Sequence, residues 1–236
     1  MVSDCRFDVP LYTVAGAARL VGMPTSTLTD WAKGYERAFR DRAHSVQKGP
    51  VITALRPTSI GAPSIPFVGL VEAVVVQAFR RTSLPMPRIR KALEVLARDG
   101  DLAHALASRR LFSDGAQVLF DYANETSDGQ LRLLTVVSTG QRVFHEVITE
   151  YLERICFDSD EWADELIVPV TKRKLLRVRA NVSNGDPIFI RGGAPLSAVT
   201  SRFQAGETLQ SISRDYDLVL EDVAEVIDAF DAIRAA

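Results

Sequence analysis

The hydrophobic positions near the amino terminus fall into two short helical repeats that meet at a sharp corner. In Tyr12 to Trp31, YTVAGAARLVGMPTSTLTDW, residues Val14, Ala17, Ala18 and Val21 recur at the spacing of one helix face. Gly22 stands where that helix must end in a residue tolerant of positive φ. Pro24 suits an early position of the next helix, where its missing N–H has no partner to lose. Thr25 or Ser26 is expected to cap the second helix, with Leu28 and Trp31 facing inward and Thr25, Ser26, Thr29 and Asp30 outward. This pattern predicts a helix-turn-helix whose second helix offers short polar groups to base edges and phosphates.

Two more elements follow in order. A Pro- and Gly-punctuated stretch holds a β-like run, Val51 to Leu55, among Arg37, Arg40, Arg42, Lys48 and Arg56, as a wing would. A strongly apolar helix is predicted from Ser64 to Phe79, then Leu84-Pro85-Met86-Pro87 and a basic helical run, RIRKALEVLA, from Arg88. Across Ala17 to Trp31, Val51 to Pro57 and Phe67 to Leu96 the chain resembles the MerR family of winged helix-turn-helix regulators. The resemblance implies DNA binding, with contacts from Arg19, Thr25, Ser26, Thr29, Lys33, Arg37, Lys48 and Arg56. Two departures stand out: Thr29, followed by Asp30, occupies a position usually held by arginine, and the dimerising coiled coil is missing.

Between Leu111 and Val170 the pattern changes. Arg110 to Phe120 reads as two short strands joined at Asp114-Gly115, and Val143 to Ile155 alternates apolar and charged residues at helical spacing. His145 and Glu146, near Glu150, read as structural on that helix. Leu175 to Val182 alternates as a strand, followed by Gly185-Asp-Pro187-Ile-Phe-Ile190-Arg-Gly192, Val199 to Ala205, Gly206-Glu207 and Leu220-Glu221-Asp222-Val223. This segment resembles the DUF433 domain, with Gly193-Ala194 where a Thr-Arg pair is usual. Its end reads as a second helix-turn-helix, with Leu209, Ile212 and Tyr216 facing Leu218, Val223, Val226, Ile227 and Phe230. Glu221, Asp222, Glu225, Asp228 and Asp231 on the last helix, without a compensating base, would repel phosphate, so protein contact is expected there. A homodimer through Val199, Phe203, Val223, Ile227 and Phe230 is the expectation; the same side chains could instead close the module's own core.

The chain is thus expected to be α+β, mainly α: a winged helix-turn-helix over 1–110, a β-containing connector over 111–174, and a helix-turn-helix module with a short strand over 175–236. Charge follows this division, with 16 Lys and Arg against 10 Asp and Glu up to residue 115, and 12 against 20 beyond it. The positive half suits a polyanion and the acidic half a protein surface. Only Cys5 and Cys156 occur, which argues against a disulfide framework or zinc site and for a reducing cytoplasm. No segment reads as a membrane span, and no nucleophile motif, phosphate-cradling loop or metal-ligand spacing points to an enzyme or a cofactor.

A MerR-like head on a DUF433-like tail resembles the VapB-type antitoxins of mycobacterial toxin–antitoxin pairs. That resemblance implies a type II antitoxin that binds its operator as a dimer and neutralises a PIN-like ribonuclease. Basic side chains could then block the nuclease's acidic metal site, the candidates being Lys172, Arg173, Lys174, Arg177, Arg179, Arg191 and Arg202. The competing reading is a stand-alone MerR-type regulator that senses a small ligand in its middle section, near Cys156, Phe120, Tyr122, Phe144 and Trp162.

Overall fold

The computed structural model describes residues 4–38, 45–81, 86–87, 89–90, 104–109, 150 and 153–235, and the fold is α+β and rich in helix. The hairpin expected at Asp114-Gly115, as well as His145 and Glu146, lies outside these residues. A short helix α1 (Cys5–Asp8) leads into α2 (Val14–Val21) and α3 (Thr25–Lys33), the helix-turn-helix. Thr13 caps α2 by accepting the Gly16 N–H at 2.9 Å. Gly22 ends it at φ 72°, its N–H reaching the carbonyls of Ala18 and Arg19. Ala17, Ala18, Val21, Leu28 and Trp31 are buried, as their spacing requires.

Two local expectations are corrected. Pro24 is itself the N-cap of α3, with extended backbone and no side-chain cap, so Thr25 and Ser26 form the first turn rather than its cap. Val51 to Leu55 is not a strand. Its N–H groups are spent elsewhere: those of Val51 and Ile52 on the Trp31 carbonyl, and that of Leu55 on the Ser64 carbonyl. The two-stranded hairpin lies upstream, in β1 (Tyr35–Ala38) and β2 (Ser45–Lys48), antiparallel with Tyr35 opposite Lys48.

Helix α4 (Phe67–Arg81) is the trunk of the molecule, with buried side chains on nearly every face. Among them is Glu72, 4% exposed, whose carboxylate accepts the Thr53 N–H. Gly69 lets the neighbouring segment come close, since a Cβ there would sit 2.2 Å from the Thr53 carbonyl oxygen. Among the described residues no helix is long and apolar enough to cross a membrane.

The four-stranded antiparallel sheet runs in chain order: β3 (Ile155–Phe157), β4 (Ala163–Ile167), β5 (Leu176–Arg179) and β6 (Ile188–Phe189). It takes strands from both sides of residue 174. Ile155, expected to end a helix, opens β3 instead and is buried. Ile155, Leu166, Leu176, Val178 and Phe189 form the buried face, while Glu165, Arg177 and Arg179 alternate with them in the strands. Three helices close the chain: α5 (Leu196–Gln204), α6 (Leu209–Asp215) and α7 (Leu220–Ala235). Pro195 cannot cap α5 with a side chain. Asp186 does so from outside, accepting the Ser197 N–H at 3.2 Å and its hydroxyl at 2.6 Å.

Replacing Gly69 with Ala forces α4 away from Thr53. The expected loss is about 1–3 kcal/mol of unfolding free energy, read from the shift of a urea midpoint at constant slope.

Candidate nucleic-acid and partner surfaces

The outward face of α3 carries Thr25, Ser26, Asp30 and Lys33, all exposed. Thr29 is half-buried, and its hydroxyl donates to the Thr25 carbonyl at 2.8 Å. With its only proton spent inside the helix, Thr29 can offer a base nothing but acceptor capacity. The expected basic residues divide among three places. Arg37 and Lys48 belong to β1 and β2. Lys33 and Arg56 come together in one concavity beside α2. Arg19, also exposed, lines a different cleft, between α2 and the carboxy-terminal helices.

That cleft, of about 560 Å³, marks where head and tail meet. Its walls include Leu20, Phe203, Ile227 and Phe230. Beside it the Tyr12 hydroxyl donates to the Gly185 carbonyl at 2.9 Å. Burial pushes the Tyr12 phenol well above its ordinary pKa, and Asp186 adds to the shift. Gly185 has φ 77°, and a Cβ there would lie 2.7 Å from the Tyr12 oxygen, so only glycine permits the contact. On the other side Phe7 meets Trp162 edge-on, ring centres 5.2 Å apart, and lies equally close to His104. Arg6 sits between Asp4, at 2.7 Å, and Asp160. Its hydrogen bonds hold both carboxyls below the usual range.

Most of the basic residues expected to meet a partner are matched within the chain. Arg173 pairs with Asp222 at 2.6 Å and Glu225 at 2.7 Å, and donates to the Glu221 carbonyl at 3.2 Å. Burial pushes Glu225 up, but the Arg173 side chain and backbone outweigh it and leave the carboxyl below its ordinary value. The acidic face of α7 therefore does have a compensating base, which corrects the expectation for Asp222 and Glu225. Arg177 pairs with Glu165 at 3.3 Å, Arg179 with Asp164, and Lys174 with Glu153 at 3.4 Å. Arg202 binds Glu207 and, at 2.6 Å, Asp215, and lies over the Tyr216 ring. Lys172 and Arg191 are exposed, and their side chains form no ion pair among the described residues.

The residues expected at a dimer face are placed differently. Val199, Val223 and Ile227 are buried in the chain's own core, which is the alternative their pattern left open. Phe203 and Phe230 are only partly buried, and both line the cleft against α2. Sequence reasoning missed Arg6, Tyr12 and Trp162 as junction residues. Gly185, inside the Gly-x-Pro segment, was the one available signal.

Tyr12→Phe should lower stability by about 1 kcal/mol, because the Gly185 carbonyl loses its donor, and should leave α2 helical by circular dichroism. The Arg6 triad gives a pH signature. Its aspartates have folded values below the unfolded one, so their stabilisation is complete above that value, about 4, and fades as pH falls through the lowered values. Arg6→Gln should flatten this acid limb in urea midpoints taken from about pH 2 to 6.

Comparison with known proteins agrees with this architecture. Residues 10–93, from Pro10 through α4, match the family model described as "Putative DNA-binding HTH domain". The chain is 38% identical over 234 residues to "Putative antitoxin VapB45" of Mycobacterium tuberculosis, covering 97% of each. It is 25% identical over 226 residues to "Uncharacterized protein Rv2308" of the same organism, covering 94% of this chain and 90% of that one. The crystal structure of Rv2018 from Mycobacterium tuberculosis superimposes with a TM-score of 0.73 at 31% identity, over 94% of this chain and 99% of that one. Shared sequence along nearly the whole of both chains shows that the protein belongs to the family of the Mycobacterium tuberculosis protein named "Putative antitoxin VapB45".

Proposed function

We propose that the chain is the cytoplasmic antitoxin of a type II toxin–antitoxin pair, which binds its own operator as a homodimer and neutralises a PIN-like ribonuclease by direct contact. The observation that carries this reading is the full-length match to a protein named as an antitoxin, spanning the helix-turn-helix head and the sheet-and-helix tail alike. In the DNA complex α3 enters the major groove with Thr25 and Ser26 leading, and Arg37 and Lys48 of the hairpin reach flanking phosphates. Asp30 keeps part of α3 away from the backbone, so affinity comes mainly from the basic residues around it.

On the toxin side the nuclease is a cluster of carboxylates that holds a divalent metal. A cation that blocks it must be free to leave its own surface. Lys172 and Arg191 are the candidates best placed for that, because Arg173, Arg177, Arg179 and Arg202 already have carboxylate partners. Phe203 and Phe230 are the two expected dimer residues still available to a second chain.

The decisive experiment expresses the neighbouring small reading frame with and without this chain, then purifies from the surviving cells. Growth arrest that this chain relieves, with a stable complex recovered, supports the antitoxin reading; no arrest and no complex rejects it. For DNA, Arg37→Ala with Lys48→Ala should weaken binding to specific and random duplexes alike. The slope of log affinity against log salt should fall by about 0.9 per lost contact. An unchanged slope would place the DNA face elsewhere.

A further inference from the structure

A concavity of about 800 Å³ opens between the start of α2, the end of α3 and the loop over residues 54–64. Three features of its lining belong together. Lys33 and Arg56 are exposed, and neither forms an ion pair among the described residues, in contrast to Arg173 and Arg202 of the tail. The first N–H groups of α2, on Val14 and Ala15, lie on the same wall, and the Thr13 cap covers only the Gly16 N–H. Ser64 is 8% exposed; its N–H donates to Tyr12 and its carbonyl accepts from Leu55, yet its hydroxyl makes no hydrogen bond among the described residues. The hydroxyl oxygen itself is not sealed from solvent, so it can donate to whatever enters the concavity that Ser64 lines.

No carboxylate lines this concavity, whereas Asp186 and Asp231 line the cleft that holds Arg19. Two unmatched cations, a helix amino terminus and a donor hydroxyl converge on a space with no anion of its own. The rest of the wall is apolar, from Val14, Leu55 and Ile60.

The geometry points to a seat for one backbone phosphate of duplex DNA, held by Lys33, Arg56, the Ser64 hydroxyl and the Val14 and Ala15 N–H groups, with the apolar wall against its deoxyribose. The assignment rests on the DNA-binding part of the proposed function and adds a contact distinct from both the hairpin and the leading end of α3. Its position fits such a role. From Thr25 to Lys33 the helix rises roughly 12 Å at 1.5 Å per residue. The major groove is about 12 Å wide. With Thr25 at the bases, Lys33 reaches the strand that borders the groove. The hairpin candidates Arg37 and Lys48 are then free to take other phosphates.

The test scans the duplex upstream of the chain's own gene with single methylphosphonate substitutions, each removing one phosphate charge. The wild-type chain is compared with Lys33→Ala, Arg56→Ala and Ser64→Ala, the fold of each being checked by circular dichroism. At one position the substitution should weaken wild-type binding several-fold and leave the Lys33→Ala, Arg56→Ala double variant unaffected. Removing both cations should lower the salt slope by about 0.9, the share of one phosphate, while Ser64→Ala weakens binding with the slope unchanged. If the wild type binds but every sensitive phosphate couples only to Arg37 and Lys48, the seat is wrong and the DNA-binding reading stands. If the wild type binds no duplex, both fall. A parallel titration of the free chain with inorganic phosphate at fixed ionic strength separates the other source. Saturable shifts of the Val14 and Ala15 amide resonances, without coupling to any duplex phosphate, would overturn the assignment in favour of a free-anion site.

Discussion

Tyr12 is fastened on two fronts, and the placement of the helix-turn-helix head follows from it. Its N–H donates to the Ile65 carbonyl and its own carbonyl accepts from Ser64 and Ile65, which ties the start of α2 to the start of α4. Its hydroxyl crosses to Gly185 in the tail. The next residue, Thr13, caps α2, so the same few atoms set the direction of the first helix of the helix-turn-helix and the distance from head to tail. Ser64 owes its burial to this knot as well.

Electrostatics divides the molecule more finely than net charge suggests. The tail is acidic in sum, yet Arg173 and Arg202 neutralise carboxylates of α7 and of the α5–α6 region locally. These exposed pairs add little stability one by one; their effect is to fix the turn before β5 and the end of α5 against neighbouring helices. In the head, by contrast, Lys33 and Arg56 keep their charge unmatched at the surface. Among the described residues, unpaired cations therefore include Lys33 and Arg56 in the head and Lys172 and Arg191 beyond it, while Arg6, Arg173 and Arg202 are spent on nearby carboxylates.

Much of this was legible in the sequence because it rests on local rules. The spacing of Ala17, Ala18 and Val21, the left-handed Gly22, and the inward pair Leu28 and Trp31 need no distant partner to be read. The helix-turn-helix expected in the head agrees with the match of residues 10–93 to the model described as "Putative DNA-binding HTH domain". What failed depended on pairing. Val51 to Leu55 has a strand's composition, but Trp31 and Ser64 claim its backbone. The hairpin strand Tyr-Glu-Arg-Ala has little β-branched character, so nothing local announced it. Likewise the apolar run Val199, Val223 and Ile227 has the same pattern whether it faces a second chain or its own core, and only packing decides between them.

The Tyr12–Gly185 bond joins residues 173 positions apart in the chain. A ribosome adding about 5–20 residues per second delivers Tyr12 roughly 9 to 35 seconds before its acceptor. During that interval the newborn head has its helix-turn-helix sequence complete but lacks the surface that seats it. Synthesis order thus imposes a delay between making the helix-turn-helix and locking its orientation, and a message broken before codon 185 yields a head that never acquires it.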